Sequence, residues 1–537
     1  MILRLVGAAW LAIFLLCSCS GGGESFSEAG EGSGTGDAIE IHLPGGDWGM
    51  PTPFTFYPRG MGYVHLSLIY DTLVWKDHQG TIPWLAKNWE CSQDGLVWTF
   101  HLHPGVQWQD GKPLTARDVR FTFDYLKRYP VEWFSLEKVR DVEVPNDLTA
   151  VFYLESPYAP FLNQIAGSVP ILPEHIWRDV SNPRETSAPD RVVGSGPYRL
   201  VQYDKAQGAY AYDANPAFFL GEPRVRKLFF VPVGDPVAAL ERGVVAEATV
   251  PASLLAKFRE DKRFQLLSGP SYWVLNLQFN LNRFPFSEVQ VRHALAHAVD
   301  RKALIEQSVP GGLEGAKPGN PGFMSPDSNW YDPSLKDLYS YDPVRSRELL
   351  EMAGIGDRNE DGVCEDSNGK PMQFTLLTTS SYLREAEALQ LMLRKIGFTL
   401  DLKSLDIKTL DAMVREGRFD LALTGHGGLG GDPSIIYGFG GARDDPFSAG
   451  MPKDPEYLRT AELLSIRSDP AERMALCKTM QQLYARELPV LPLYYPVWFI
   501  AYRPDVFQGW FYTGEGGIGI GVPLPYNKLA FIKGRKP

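Results

Sequence analysis

Two short stretches of this 537-residue chain hold side chains of the type and spacing that chemistry needs. The first is Thr424–Pro433, a glycine-rich run that carries one imidazole, His426, and one carboxylate, Asp432. A neutral imidazole can donate, accept or ligate a metal, and a histidine on a loop can equally spend its ring on backbone groups. The second is Asp357-Arg358-Asn359-Glu360-Asp361-Gly362, which matches the first half of an EF-hand loop. Oxygen ligands Asp357, Asn359 and Asp361 fall on alternate residues, and glycine stands sixth for the sharp turn. The twelfth position is Asn368 rather than glutamate, so the bidentate ligand is absent. Either Glu365 or Asp366 closes a shorter site for a structural calcium, or the loop is simply solvated. No Gly-x-Ser-x-Gly elbow, His-Glu-x-x-His pair or Cys-x-x-Cys is present. Carboxylate pairs for glycoside chemistry stay open among the 64 acidic residues, and the expectation of a non-enzymatic binder that needs no cofactor rests on the ordered motifs below.

The N-terminus sets the compartment. Arg4 supplies a positive n-region, and Leu5–Leu16 is apolar but too short to span a bilayer. Leu16-Cys17-Ser18-Cys19 then resembles a bacterial lipobox. Cys19 is the expected lipidated residue, because at Cys17 the preceding position would hold a bulky Leu16. Residues 1–18 therefore read as a lipoprotein signal peptide. Residues 19–37, rich in Gly, Ser and Glu, read as a flexible tether with order beginning near Ile39. The product is exported, periplasmic or at the cell surface, and held to a bacterial membrane by its lipid. Beyond Cys19 the cysteines are Cys91, Cys364 and Cys477, which excludes a disulfide scaffold. Net charge is −11 with no long Lys/Arg block, which argues against a nucleic-acid partner.

The elements that must position any site are strands and helices interspersed along the chain, an α/β pattern too long for one core. Asp94-Gly95 between the apolar runs of Trp89–Leu102 predicts a hairpin. Thr115-Ala116-Arg117-Asp118 predicts a capping box that opens a helix, with Val119, Phe123 and Leu126 on its buried face. Ser287-Glu288-Val289-Gln290 predicts a second capping box, with Val291, Leu295 and Ala298 following. Ser271–Phe279, Phe374–Leu377 and Phe398–Leu402 read as strands, and Arg345–Met352 and Leu383–Lys395 as helices. Trp89, Trp98 and Phe100 read as hairpin core, and Asp94 and Asp110 as turn formers.

The run Trp89…Ser92-Gln93-Asp94-Gly95…Trp98-Thr99-Phe100…Gly105-Val106…Trp108…Asp110-Gly111…Leu114-Thr115-Ala116…Asp118-Val119 resembles the signature of extracellular solute-binding family 5. That family includes dipeptide-, oligopeptide- and nickel-binding proteins of ATP-driven (ABC) importers. Gly194-Ser195-Gly196-Pro197-Tyr198, Val291-Arg292…Ala294-Leu295…Ala298-Val299-Asp300-Arg301, Phe419-Asp420 and Pro492-Leu493-Tyr494-Tyr495 extend the likeness over roughly residues 40 to 530. The resemblance implies a two-lobed periplasmic-binding-protein-like fold of class II, with a hinge and an extra subdomain. Residues 38–63, 190–276 and 492–537 would form the N-terminal lobe, 64–189 the extra subdomain, and 277–491 the C-terminal lobe.

The same resemblance implies capture of a small solute, by default a peptide, between lobes that close by hinge motion. ABC permease and ATPase subunits are the implied partners, and the protein is expected to act as a monomer. Alternatives are a nickel or other metal-chelate binder of the same importer type, or a ligand-sensing lipoprotein without transport. In peptide-binding members a Trp and, three residues later, an Asp for the peptide ammonium precede an acidic-Pro pair. Here those positions hold His426 and Leu429, ahead of Asp432-Pro433. His426, Leu429, Asp432 and the crossover aromatics Tyr272 and Trp273 are the expected ligand contacts, with Asp432 a substitute for the missing ammonium partner.

Overall fold

The computed structural model describes residues 39–436, 454–513 and 527–532, apart from 59–60, 78–79, 132, 187 and 428. The expected signal peptide, Cys19 and the tether lie outside the described residues. Among the described residues no helix is long and apolar enough to cross a membrane.

The hairpin expected around Asp94-Gly95 forms from strands Ala86–Cys91 and Val97–Leu102, with Gly95 at φ +71° in the turn. Strands Thr149–Leu154 and Val139–Asn146 extend it to a four-stranded antiparallel sheet. Helix Ala116–Arg128 covers that sheet, and its capping box is formed: Thr115 accepts from Arg117, and Asp118 accepts from the Thr115 N–H. Val119, Phe123 and Leu126 are buried beneath it as their spacing requires.

A second four-stranded sheet joins Ile39–Pro44 in parallel to Val225–Val231, then Ala209–Ala214 and Tyr198–Asp204. These two sheets share one large apolar core that also takes in Phe507, Trp510 and Leu529–Ile532.

The C-terminal lobe has its own core, built on both faces of a six-stranded sheet. Its order is Ala316–Pro318, Val490–Pro496, Val274–Phe279, Leu421–His426, Gln373–Thr378, Thr399–Ser404. The central strand Val274–Phe279 is buried at every position, as expected for a sheet covered on both faces. The second predicted capping box is not formed: helix Val289–Ala298 has Glu288 as its N-cap residue, without a side-chain cap bond. Ser287 instead donates its hydroxyl to Glu288 and its N–H to Arg283 O, one turn earlier.

Two short crossovers link the lobes. Strand Gln265–Gly269 belongs to a three-stranded sheet with Trp498–Tyr502 and Glu247–Thr249, while Val274–Phe279 and Val490–Pro496 belong to the six-stranded sheet. Residues 270–273 and 497 therefore carry the chain from one lobe to the other.

Candidate functional site

Strand direction locates the site. Gln373–Thr378, Thr399–Ser404 and Leu421–His426 run parallel, so Thr378, Ser404 and His426 finish at one end of the six-stranded sheet. Val490–Pro496 is antiparallel to Val274–Phe279, as is Leu421–His426, so Pro496 finishes at the same end. Both crossovers leave there. In open α/β sheets the carboxyl ends of the strands are where loops diverge and ligands settle. At the opposite end, a shallow depression lined by Lys370, Gln373, Asp401 and Asp420 contains none of the residues expected to bind ligand.

The first crossover delivers the two expected aromatics to opposite faces. Trp273 packs on the helix-covered core and stacks with Tyr382, ring centroids 6.1 Å apart and planes 22° apart. Its ring lies on the backbone of Gly425, where a Cβ would stand 1.6 Å from it, so only glycine admits the contact. Tyr272 is buried in the other core, its ring against Gly430, and its hydroxyl donates to Asp327 O at 3.4 Å. The Ser271 N–H donates to Asp327 Oδ2 at 2.8 Å, and Lys317 pairs with the other oxygen. Burial opposes ionisation of Asp327, but these donors outweigh it and hold its carboxyl below the usual range.

The glycine-rich stretch is partly strand. His426 is not a loop residue; it ends Leu421–His426 opposite Val274, and residues directly opposite share a face. It is buried on the face that Val274 shares with Tyr272 and Leu429. Leu429 is fully buried in that core, and its N–H donates to Tyr272 O at 3.2 Å. Asp432 accepts from Arg473 Nη2 through both oxygens at 2.8 Å, with side chains only 5% and 10% exposed. It also caps the turn by accepting from the Ser434 N–H at 3.0 Å. Asp432 therefore already has a cation.

Sequence reasoning missed Glu385. It lies in the first turn of helix Leu383–Arg394, which rises from the carboxyl end of Gln373–Thr378. Only 5% exposed, it accepts from the Tyr494 hydroxyl at 2.8 Å. Burial raises its carboxyl above the usual range, against the Tyr494 hydrogen bond and the Arg384 charge. Glu385 and Tyr494 are 109 residues apart, so no local pattern joins them.

The other lobe reaches this end at several points, among them Arg259, whose Nη2 donates to Glu314 Oε1 at 3.1 Å. The Tyr57 hydroxyl lies 3.5 Å from Asp411 Oδ2, with the Lys408 ammonium 5.4 Å from the Tyr57 ring. From the extra subdomain, the Ala159 N–H donates to Ser465 O at 2.7 Å, and Gln164 Nε2 donates to Ser434 Oγ at 3.0 Å. Gln164 sits on the short π-helix Phe161–Ala166 and accepts from the Tyr158 hydroxyl. The two lobes meet at this end of the sheet and are joined there by the two crossovers, which makes it the candidate site.

Residues 80–445 match the bacterial extracellular solute-binding proteins, family 5 (middle). The chain belongs to this family. A Brucella ovis protein named provisionally as an ABC transporter peptide-binding protein is 30% identical over 368 residues, 66% of this chain. The chain covers 66% of that relative's length, just under two thirds. The nickel-binding periplasmic protein of Escherichia coli is 27% identical over 482 residues, 85% of this chain and 89% of the relative. Among solved structures, NikZ from Campylobacter jejuni in complex with Ni(L-His) superposes with TM-score 0.77 at 25% identity. That match covers 91% of this chain and 98% of that one. Solute-binding proteins of family 5 are a non-enzymatic family.

The acidic loop of this family-5 chain lies apart from the cleft. Asp357, Asp361 and Glu365 each offer an oxygen, all within 4.8 Å of one another. Asn359, expected as a ligand, donates its amide to Asp361 Oδ2 at 3.1 Å. Gly362, at φ +86°, donates its N–H to Asp357 Oδ2. Asp366 is not in the group: its Oδ1 accepts from the N–H groups of Asn368 and Lys370.

Proposed function

We propose that this protein is an exported, lipid-anchored receptor that captures peptides at the carboxyl end of the six-stranded sheet and delivers them to an ABC permease. The observation that carries the reading is the pair of crossovers, 270–273 and 497, which leave the sheet where Trp273, Tyr382 and Glu385 gather. Hinging there opens and closes the cleft without disturbing either core. Cys19 supplies the anchor, and the family's use in importers supplies the permease and ATPase partners. His426, Tyr272 and Leu429, buried against the same end, shape the cleft from behind rather than line it.

Relatives named for peptides and for nickel leave two ligand classes to separate. Thermal unfolding of the protein with di- to hexapeptides, and with nickel plus free histidine, separates them. Ligand at a hundredfold over its Kd adds about 2.7 kcal/mol. Stabilisation by peptides, retained in His426→Ala, supports the peptide reading. Stabilisation by the nickel chelate alone, abolished in His426→Ala, replaces it with metal-chelate capture. Peptide uptake on co-expression with permease and ATPase subunits distinguishes an importer from a sensor.

The loop of Asp357, Asp361 and Glu365 is proposed as a structural calcium site, supported by its converging oxygens. Calcium should raise the unfolding temperature over that in EDTA, and Asp361→Asn should remove the difference. An equal temperature in both conditions for the unsubstituted protein would assign the loop to solvent.

A further inference from the structure

A peptide with a free amino terminus brings an ammonium into the cleft, and a desolvated ammonium needs a counter-charge. Neither position 429 nor position 432 of the glycine-rich stretch offers one, since Leu429 is apolar core and Asp432 is held by Arg473. Glu385 is a buried carboxylate, and among the described residues no ion pair includes it. Its charged and titratable neighbours are Arg384, next to it on the helix, and Tyr494 on the adjoining strand; Tyr382 stands beside that tyrosine. The stacked rings of Trp273 and Tyr382 lie at the same end of the sheet, Tyr382 three residues before Glu385 in the chain.

We propose that Glu385, with the faces of Trp273 and Tyr382, forms the cation subsite of the cleft and takes the ligand's ammonium. The assignment rests on the binding-protein reading above and names the ligand class as amine-bearing. Three features act together. The carboxylate supplies the charge, the aromatic faces supply cation–π attraction, and the Tyr494 hydroxyl holds Oε1 in place. Burial favours protonation of Glu385 while the subsite is empty, and an arriving ammonium favours the ionised form. Amine binding is therefore coupled to proton release from this residue.

The test compares tri-alanine, N-acetyl-tri-alanine and citrate by isothermal titration, using wild type, Glu385→Gln and Tyr494→Phe whose circular dichroism matches wild type. The expected result is at least a tenfold preference of wild type for tri-alanine over its acetylated form, lost in Glu385→Gln. That preference should weaken between pH 7 and pH 5, while binding of the acetylated peptide stays level. Tyr494→Phe keeps the charge but releases the oxygen that the hydroxyl holds, so it should lose only part of the preference; equal loss in both variants would mark the Glu385–Tyr494 bond as merely structural and overturn the subsite. Undiminished preference in Glu385→Gln overturns the subsite and leaves peptide capture standing. Binding of citrate or the acetylated peptide alone also overturns it, and leaves a binder of other solutes. Binding of none of the three overturns both the subsite and peptide capture.

Discussion

Lys528 and Asp71 are each fully buried, and Nζ lies 2.5 Å from Oδ1. The ammonium is 4.0 Å from the Trp75 ring centroid and 4.8 Å from that of Trp84. Asp71 also accepts from Trp84 Nε1 at 2.7 Å and from Ser195 Oγ at 2.8 Å. Next to the lysine, Asn527 accepts from Trp75 Nε1 at 2.9 Å and donates to Lys76 O at 2.9 Å. The segment 527–532 is thereby fixed to the start of the extra subdomain. Lys528→Met keeps the volume and removes the cation, so Asp71 stays buried with two hydrogen bonds and no counter-charge. Breaking a buried pair from one side costs about 3–5 kcal/mol. At about 2–4 °C per kcal/mol for a lobe of this size, the unfolding temperature should fall by roughly 6–20 °C. Tryptophan fluorescence is the natural readout, because Trp75 and Trp84 flank the lysine. The double variant Lys528→Met/Asp71→Asn should regain more than half the loss, since removing both charges relieves the orphan. Unfolding of Lys528→Met within 2 °C of wild type, or no recovery in the double variant, would refute the reasoning.

His65 is buried, stacks on Tyr210 at 3.9 Å, and bonds the Tyr212 hydroxyl through Nδ1. Burial lowers its pKa to about 3, from 6.5 when unfolded, so the unfolded state binds the extra proton between those values. Stability should therefore fall on acidification through that window by about 1.4 kcal/mol per pH unit. His65→Phe should flatten a urea-melt series between pH 6 and pH 4 by that slope; an unchanged slope rejects the assignment. Arg473→Ala strands Asp432 in the core and should destabilise the C-terminal lobe by about 3 kcal/mol or more, whereas Arg473→Ala/Asp432→Asn should recover most of it in denaturant melts. Gly425→Ala should displace the Trp273 ring and weaken ligand binding at least tenfold, with a smaller effect in Gly430→Ala if Tyr272 is only core; titration of both variants checks this. Gln164→Ala removes the hydrogen bond to Ser434, worth about 1 kcal/mol, so the ratio of closed to open protein should drop about fivefold. Small-angle scattering of the ligand-free protein would show a larger radius of gyration, and an unchanged curve would mean that the contact does not bias closure.

Local chemistry was legible in the sequence wherever a few adjacent residues decide the outcome. The Asp94-Gly95 turn, the Thr115–Asp118 capping box and the helix from Leu383 all depend on neighbours within one turn, and all formed. Ser287 shows the limit: its spacing suited a cap, yet Glu288 became the N-cap residue because Ser287 is bound into the preceding turn. Long-range pairing was not legible. Nothing near Asp432 signals Arg473, 41 residues later, and nothing near Glu385 signals Tyr494. His426 drew notice for its chemistry and its glycine neighbours, but strand pairing with Val274 turned a loop expectation into a strand end. Those glycines answer a packing need: Gly425 and Gly430 leave room for the rings of Trp273 and Tyr272.

Leucine at position 429 changes the work of the surrounding segment. Buried beside Tyr272 and bonded to its carbonyl, it ties the segment to the first crossover. Three residues on, Asp432 ties the same segment to Arg473, and Ser434 meets Gln164 of the extra subdomain. One short segment thus connects the hinge, the C-terminal core and the facing lobe. A ligand that shifts the crossover at Tyr272 and Trp273 acts on one end of this connection, and the Ser434–Gln164 contact lies at the other. Ligand can favour closure only through contacts it makes better in the closed form. With the segment occupied by structural bonds, those contacts must come from other groups at the carboxyl end of the sheet. Recognition and closure are then separable, and Glu385→Gln and Gln164→Ala should perturb one each.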